Sequence, residues 1–381
     1  MRRSPLLTGI DIMDNITRRE LLQAAATAGC AIAIGVRCLF SQERKGEHIA
    51  SYWHPCGSGV VQCDLCPHGC VLSEGKIGLC RGRQNRNGSL ATQGYGYPCA
   101  MHVDPIEKKP LYHFMPGCLA YSIAIAGCSL RCKNCQNYSI SQVGPLETDV
   151  PYASPRQMVD EALKSGAKAI AYTYSEPFVW IEYMYDTAKL ARRAGLKNVI
   201  VTCGYINEEP FADLAPFLDG AHIDLKSFDE TVYRNLNAGS LAPVLRTICN
   251  AKKRGVWIEI VNLVIPQWSD NFDMIRRMSL WIKENVGADT PLHFSRFFPL
   301  YQLAQLYPTP VETLVNARKI ALEENLHYVY VGNVPEVDSN TYCPKCRNLL
   351  VERNGYIVKL KGMKGPLCEK CGTVIPGVWK G

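Results

Sequence analysis

Segments typical of β-strands alternate with segments typical of helices between residues 110 and 335, and this alternation constrains the fold of the 381-residue chain. Seven short apolar runs are predicted to be strands, at 121–125, 169–173, 199–202, 222–225, 257–264, 293–297 and 328–331. Ser154 and Pro155 are predicted to cap and open one helix, and 309–312 to form a capping box on another. Such units predict a parallel sheet covered by helices. Six or so units are too few to close eight strands, so we expect an α/β fold with a partial (β/α)6 TIM-type barrel.

The 18 cysteines are concentrated in three sets of closely spaced residues. Short CxxC pairs bring sulfurs to one point, which suits a metal ion or an iron–sulfur cluster better than a disulfide framework. Thiolate ligands on iron also favour a reducing, anaerobic setting. We call them the N-terminal cysteine set (Cys63, Cys66, Cys70 and Cys80), the central cysteine set (Cys128, Cys132 and Cys135) and the C-terminal cysteine set (Cys343, Cys346, Cys368 and Cys371).

The central cysteine set lies in a loop directly after the first predicted strand. Its CxxxCxxC spacing supplies three thiolates, which hold three irons of a [4Fe–4S] cluster and leave the fourth open. In barrel-type folds, chemistry gathers on loops at the carboxyl ends of the strands, and this loop is one of them. The alternatives are a zinc knuckle and three reduced thiols.

The cysteine loop resembles the radical S-adenosylmethionine (SAM) superfamily. Within it, the chain resembles the AmmeMemoRadiSam-system radical SAM enzyme family, which is similar to pyruvate formate-lyase activating enzymes. The stretches that carry the resemblance are 61–70, 104–114, 135–137, 332–335 and the final CxxC pairs. The resemblance implies that a [4Fe–4S] cluster cleaves SAM reductively and that a 5′-deoxyadenosyl radical abstracts a substrate hydrogen. It also implies a low-potential electron donor of the flavodoxin or ferredoxin type, and Memo-like and AMMECR-like partner proteins.

The resemblance assigns polar SAM contacts to two strand ends. Glu176, with Ser175 beside it, follows the second strand, where the superfamily binds the SAM amino group. The alternative for Glu176 is an N-cap for the next helix. Lys226 would pair with the SAM carboxylate and Asp224 would orient it, and the alternative is a structural ion pair.

Two further positions are candidates for the nucleoside end of SAM. Val264 is predicted to line the adenine, although it is equally suited to the core. His293 is predicted to reach the ribose, although a lone strand histidine is commonly structural. Two residues depart from the family pattern: Asn134 replaces an aromatic residue, and Cys203 replaces an asparagine. Cys203 is either inert or a thiol that faces the site.

The two flanking cysteine sets are predicted to be structural. C-x2-C-x21-C-x2-C in the C-terminal cysteine set is typical of a zinc ribbon or a rubredoxin-like module, with zinc favoured over iron. The bound metal would stabilise the fold of a C-terminal segment that is too small to have its own hydrophobic core, or the module would dock a partner. The N-terminal cysteine set favours a structural zinc site, with an auxiliary iron–sulfur cluster as the alternative.

The sequence predicts four parts: an N-terminal signal or disordered segment (1–45), a Cys-rich metal-binding module (46–110), a radical SAM core (111–335) and a ribbon-like module (336–381). Arg18 and Arg19 precede an apolar stretch, 24–36, and resemble a twin-arginine export signal, for which Met13 is an alternative start. The alternative is an amphipathic or frayed helix. The stretch is short for a membrane span, so membrane contact is expected only through the N-terminus. SAM and low-potential donors are cytosolic, so localisation stays open.

Three other functions are compatible with parts of the sequence. A glycyl-radical enzyme activase would share the SAM chemistry, and a non-catalytic electron carrier would share the metal sites. A nucleic-acid-binding ribbon protein is disfavoured, because the net charge of +7 is scattered and no dense basic, aromatic-rich patch is present. No motif marks the substrate pocket.

Overall fold

The largest element of the computed structural model is an open eight-stranded sheet, and the structure describes residues 48–380. The candidate export signal at Arg18 and Arg19 lies outside the described residues. Within the described range, no helix is long and apolar enough to cross a membrane.

The strands of the described range are numbered in chain order. They are β1 (His48–Ile49), β2 (Trp53–Gly57), β3 (Val60–Cys63), β4 (Val71–Leu72), β5 (Arg83–Arg86), β6 (Ser89–Thr92), β7 (Ala100–Pro105), β8 (Leu119–Ala124), β9 (Ala169–Tyr172), β10 (Lys197–Thr202), β11 (Gly220–Asp224), β12 (Trp257–Val264), β13 (Leu292–Arg296), β14 (Val329–Gly332), β15 (Thr341–Tyr342), β16 (Leu349–Asn354), β17 (Ile357–Leu360), β18 (Met363–Lys364) and β19 (Leu367–Cys368).

The helices are numbered in the same way. They are α1 (Tyr138–Ser141), α2 (Pro155–Lys164), α3 (Ile181–Arg193), α4 (Glu208–Leu214), α5 (Glu230–Val232), α6 (Leu241–Lys253), α7 (Phe272–Val286) and α8 (Val311–Glu323). Short 3-10 turns cover Ile106–Lys108, Pro145–Glu147, Pro177–Trp180, Ala215–Phe217 and Tyr301–Leu303, and Tyr233–Asn237 is a π-helical turn.

The eight-stranded sheet has the order β14-β13-β12-β11-β10-β9-β8-β7. Strands β8 to β14 are parallel, and β7 pairs antiparallel with β8. Helical segments connect each parallel strand to the next, and every residue of β9 is buried, as a sheet covered by helices requires. The predicted strands are therefore confirmed, and the partial parallel α/β fold is confirmed with them.

One of the two predicted helix caps is confirmed. The Ser154 hydroxyl accepts a hydrogen bond from the Gln157 N–H at the start of α2, and Pro155 is the first helical residue. The predicted capping box on α8 is wrong, because its N-cap is Pro310, which has no side-chain acceptor. The buried Thr309 hydroxyl instead donates to the Val264 carbonyl oxygen at 2.5 Å, which ties α8 to the end of β12.

Small antiparallel sheets flank the parallel sheet in the sequence. Before it come β1-β6-β5 and β2-β3-β4, and after it come β15-β16-β17 and the β18-β19 hairpin. The predicted module boundaries at 46, 111 and 336 stay predictions.

The amino ends of the parallel strands form a floor that is closed by residues 106–118. Phe114 packs against Gly220 at the start of β11, where a Cβ would lie 2.9 Å from the Phe114 ring. The backbone N–H groups of Tyr112 and His113 donate to the two carboxylate oxygens of Glu259, at 2.9 and 2.7 Å. The Arg353 guanidinium in β16 donates to the Tyr112 carbonyl at 2.7 Å. The C-terminal sheets therefore dock on the floor, and the carboxyl ends of the strands stay available for a site.

Candidate active site

The loop that carries the central cysteine set begins just after β8 and rests on the π-helical turn 233–237. The Arg131 N–H donates to the Asn237 carbonyl at 2.8 Å, and the Lys133 N–H donates to the Leu236 carbonyl at 3.0 Å. The Asn237 side-chain amide donates to the Cys132 sulfur at 3.2 Å. This turn therefore fixes the loop and provides an N–H donor to one of its three sulfurs.

The spacing of the sulfurs separates the central cysteine set from a mononuclear metal site. Among the described residues, the C-terminal cysteine set is the one group of candidate ligands whose atoms all lie within 4.8 Å of one another. Thiolates of a cubane cluster bind separate irons, so they sit farther apart than the ligands of a single ion. The donors of the central cysteine set therefore fit a [4Fe–4S] cluster, with the Asn237 amide as a hydrogen bond to sulfur.

Asp224 is the last residue of β11, and Lys226 lies two residues further along the chain, beside the central cysteine loop. The Lys226 ammonium donates to Asp224 Oδ2 at 2.9 Å, and His222 Nε2 contacts Asp224 Oδ1 at 2.8 Å. Burial opposes both charges, but the nearby ammonium and imidazole hold the pKa of Asp224 well below its usual range. Burial would lower the pKa of Lys226, and the nearby Asp224 carboxylate holds it above its usual range. The pair therefore stays ionised next to the cysteine loop.

Glu176 is buried at the end of the loop that follows β9. Its carboxylate accepts hydrogen bonds from the Thr202 hydroxyl at 2.6 Å, the Cys203 N–H at 2.9 Å and the Phe178 N–H at 3.4 Å. Burial raises the pKa of Glu176 despite these donors. The bond from the Phe178 N–H makes Glu176 the N-cap of the turn Pro177–Trp180, which is the alternative role considered for this residue. The contact of Glu176 with the SAM amino group stays a prediction. The neighbouring Ser175 hydroxyl donates to the Ile125 carbonyl at 2.5 Å.

Cys203 is a thiol that faces the candidate site. It is buried, and its sulfur lies 3.8 Å from the Ser129 hydroxyl in the central cysteine loop. A hydrogen bond with the Cys203 thiol lowers the pKa of Cys128. Asn134, the second departure from the family pattern, carries a buried Oδ1 that has no hydrogen-bond partner among the described residues.

Val264 and His293 lie in different surroundings. Val264 is fully buried at the carboxyl end of β12. His293 is also buried, and its Nε2 contacts the Glu259 carboxylate of the floor at 2.8 Å. Its ring packs edge-on against Tyr112. The structure thus gives His293 a structural partner, and its contact with ribose stays a prediction, as does the contact of Val264 with adenine.

The four sulfurs of the C-terminal cysteine set lie within 4.8 Å of one another, close enough to bind a single metal ion. The Cys343 and Cys371 sulfurs are 3.6 Å apart, as are those of Cys346 and Cys368. Four Zn–S bonds of about 2.3 Å place neighbouring sulfurs about 3.8 Å apart. Gly372 has φ +71°, a conformation that glycine adopts without strain in the turn after Cys371. These residues therefore fit a four-thiolate metal site.

The N-terminal cysteine set lies close to the central one. Its four cysteines line one cavity together with Ser129 and Glu176. His68 Nε2 donates to the Ser129 carbonyl at 2.8 Å, in the tautomer that this contact requires. A Cβ on Gly127 would lie 2.7 Å from the Cys80 carbonyl oxygen, so glycine is needed for this close approach.

Several residues of the site were not found from the sequence. Thr202 ends a predicted strand, and its position on the carboxyl side was the signal that could have identified it. Asn237 lies in a π-helical turn that no motif announces. Asp104 lies within the resembling stretch 104–114, and its carboxylate contacts Lys109 at 2.6 Å and the Tyr174 hydroxyl.

The chain is similar to several known proteins. The sequence model described as Radical SAM superfamily matches residues 122–278. Uncharacterized protein MJ0808 of Methanocaldococcus jannaschii is 43% identical over 330 residues, which cover 86% of this chain and 98% of that protein. The pyruvate formate-lyase-activating enzyme of Listeria monocytogenes serovar 1/2a is 22% identical over 182 residues, covering 44% of this chain and 71% of the relative. A crystal structure of a domain of such an enzyme from Bacteroides vulgatus aligns with 16% identity and a TM-score of 0.39, covering 44% of this chain and 100% of that one.

The parallel sheet and the loop of three cysteines at its carboxyl edge define a radical SAM enzyme, and the chain belongs to the radical SAM superfamily. It is related to the pyruvate formate-lyase-activating enzymes over part of its length, and to the Methanocaldococcus protein over most of it. Membership in the superfamily implies a [4Fe–4S] cluster and SAM.

Proposed function

We propose that the chain abstracts a hydrogen atom from its substrate by radical SAM chemistry and works in the AmmeMemoRadiSam system. The observation that carries the catalytic part is the convergence of the central cysteine set, the Asp224–Lys226 pair and Glu176 at one edge of the parallel sheet. When bound there, the cluster and SAM supply the 5′-deoxyadenosyl radical.

The protein's own residues bind and orient SAM in this proposal. The Lys226 ammonium offers the positive charge that a carboxylate needs, and Asp224 fixes its position at 2.9 Å. Glu176 offers the negative charge that an ammonium needs, and Thr202 and Cys203 hold its carboxylate in place. Glu176 is buried and Asp224 and Lys226 are half-buried, which limits the access of water to the reactive centre.

The assignment to the AmmeMemoRadiSam system rests on the family resemblance of the sequence. Similarity to the Listeria activating enzyme covers 44% of this chain, whereas similarity to the Methanocaldococcus protein covers 86%. The similarity to the Methanocaldococcus protein thus extends over a much larger part of the chain. We propose a low-potential flavodoxin or ferredoxin as electron donor and Memo-like and AMMECR-like proteins as partners.

A glycyl-radical enzyme activase is the second candidate, because the listerial relative is named as one. Such an enzyme would place its radical on a glycine of a partner protein. The two candidates differ in the product, so they can be separated by experiment.

The central claim is tested by the formation of 5′-deoxyadenosine. Anaerobically reconstituted, reduced protein should convert SAM to 5′-deoxyadenosine, and the Cys132→Ala variant should lose this activity because one cluster ligand is missing. Cys249→Ala, on α6, is the matched control and should behave as the wild type. Equal product from Cys132→Ala and the wild type would refute the cluster assignment.

The choice of system is tested by two measurements on the active enzyme. A tagged full-length chain, co-expressed with Memo-like and AMMECR-like proteins, should elute with at least one of them. Incubation with a glycyl-radical enzyme and SAM should give no glycyl-radical signal in electron paramagnetic resonance (EPR). Separate elution together with a glycyl-radical signal would establish the activase function.

The C-terminal cysteine set is proposed to hold zinc. The 3.6 Å sulfur separations are the supporting observation. Zinc bound there would stabilise the fold of the C-terminal sheets, since structural zinc sites contribute folding energy directly.

A further inference from the structure

The N-terminal cysteine set combines four features of a buried redox centre: four thiols in one cavity, sulfurs that do not converge on a point, a buried cation and direct contact with the central cysteine loop. None of the four is required by the chemistry proposed above. The inference drawn from them therefore does not depend on the proposed function.

The sulfur positions argue against a single zinc ion in the N-terminal cysteine set. No three of its thiols lie within 4.8 Å of one another, since the C-terminal cysteine set is the one such group in residues 48–380. Ligands of one tetrahedral zinc ion would be about 3.8 Å apart. The four cysteines nevertheless line a common cavity, and Cys63 and Cys80 are buried. A larger occupant with four separate attachment points satisfies both facts.

Arg83 supplies a buried positive charge to the same cavity. It lines the cavity together with the four cysteines, and it is 1% exposed. Its two terminal nitrogens donate to the Ser51 carbonyl at 2.7 Å and to Glu182 at 2.5 Å. The third nitrogen, Nε, is buried and its N–H has no hydrogen-bond partner among the described residues. An unsatisfied buried donor is costly, and none of the four cysteine sulfurs accepts from this one, so an acceptor atom on an occupant of the cavity would remove the cost.

We propose that the N-terminal cysteine set binds a second [4Fe–4S] cluster, adjacent to the central cysteine loop. Four cysteine ligands leave no open iron, so this cluster would carry single electrons and would bind neither SAM nor substrate. The hydrogen bond from His68 to the Ser129 carbonyl and the close approach of Cys80 to Gly127 connect the two sites directly.

The test uses the full chain with the central cluster removed. A Cys128→Ala/Cys132→Ala/Cys135→Ala variant, reconstituted anaerobically with iron and sulfide, should still bind about four irons and four sulfides per chain. After reduction it should show the EPR signal of a [4Fe–4S]+ cluster. Iron-free protein, or zinc in place of iron, would overturn the proposal. Because the variant lacks the central cluster, this result is independent of whether the wild type cleaves SAM.

Two further substitutions in the same background identify the ligands. Cys80→Ser should lose the remaining iron and the EPR signal, whereas Cys56→Ser, an exposed cysteine on β2, should keep both. Metal in the C-terminal cysteine set and the far-ultraviolet circular dichroism report whether each variant is folded. A folded Cys80→Ser protein that keeps its iron would also overturn the proposal.

Discussion

The N-terminal and C-terminal cysteine sets contain the same ligands and differ in their surroundings. Both have four cysteines, two of them buried. The C-terminal sulfurs form two pairs 3.6 Å apart, whereas the N-terminal sulfurs are spread around a cavity. Ligand type is thus insufficient to define the occupant, and the separation imposed by the surrounding chain distinguishes a single ion from a cluster.

The two sets also lie at different ends of the parallel strands. The C-terminal sheets dock on the floor through Arg353 and residues near His113, and the N-terminal set shares its cavity with Ser129 and Glu176 of the candidate active site. The Arg83–Glu182 ion pair beside the N-terminal set is almost fully buried, whereas Lys361 and Glu352 in the C-terminal sheets pair at the surface. We therefore expect the C-terminal set to act on stability and the N-terminal set to act on electron transfer.

The largest expected effect is the loss of the C-terminal metal. Cys368→Ser should remove the zinc and unfold the ribbon, because structural zinc contributes an apparent ~10–16 kcal/mol of binding free energy that is coupled to folding. Zinc content should fall by one ion per chain, and limited proteolysis should cut within residues 336–381. Iron content should fall much less than zinc content.

Cys249→Ser is the control for this experiment, since Cys249 lies on α6 and outside all three sets. It should keep zinc, iron and resistance to protease. If Cys368→Ser kept its zinc, the C-terminal cysteine set would not be the zinc site. If the variant lost iron and zinc to the same extent, metal binding in the C-terminal set would not be independent of the N-terminal set.

The second largest expected effect is a loss of stability when the buried guanidinium of Arg83, beside the N-terminal cysteine set, is removed. Arg83→Met should destabilise the protein by ~3–5 kcal/mol, because Glu182 would remain as a buried charge without its partner. Arg276→Met is the matched control, as Arg276 is 45% exposed where it pairs with Glu323 and Glu324, and ~0–1 kcal/mol is expected. Urea unfolding of the iron-loaded variants measures both. The Arg83→Met/Glu182→Met double variant should recover part of the loss, and a loss no greater than that of Arg276→Met would contradict the argument.

Much of the fold could be predicted because it depends on local patterns. The pattern of apolar residues predicted the parallel strands, and the Ser154-Pro155 pair predicted the start of α2. The prediction of a capping box at Thr309 was wrong because the Thr309 hydroxyl donates to the carbonyl of Val264, which is 45 positions away in the sequence. Local sequence signals do not report contacts of this kind.

The candidate site was predictable in its cysteines and less so in their surroundings. The spacing of the central cysteine set is a specific signal, but the Asn237 amide that donates to Cys132 comes from a π-helical turn with no motif. Likewise, the partners of His293 were not predictable, since Glu259 is brought to it by pairing of β12 with β13. CxxC spacing occurs in both flanking cysteine sets, but only the C-terminal sulfurs lie within 4.8 Å of one another among the described residues. The distance between the sulfurs therefore depends on the tertiary structure and could not be predicted from the spacing.

The smallest expected effect is a pH dependence at the floor, where the C-terminal segment docks. His113 Nδ1 donates to the Pro376 carbonyl at 2.8 Å, and His113 Nε2 accepts from the Tyr330 hydroxyl at 2.7 Å, so the neutral imidazole is the one that fits. Burial lowers the pKa of His113 to about 4. In the unfolded chain the pKa is about 6.5, so the unfolded state binds the proton first as the pH falls.

The stabilisation from the neutral His113 is therefore complete above pH ~6.5. Below that pH the free energy of unfolding should fall by ~1.4 kcal/mol per pH unit, until the pKa of the folded state is reached. Urea unfolding between pH 7.5 and 5 should show this slope in the wild type and in His327→Gln, whose histidine is on the surface, and a reduced slope in His113→Gln. An unchanged slope in His113→Gln would mean that other groups set the acid sensitivity, and the docking of the C-terminal segment would then not depend on a neutral His113.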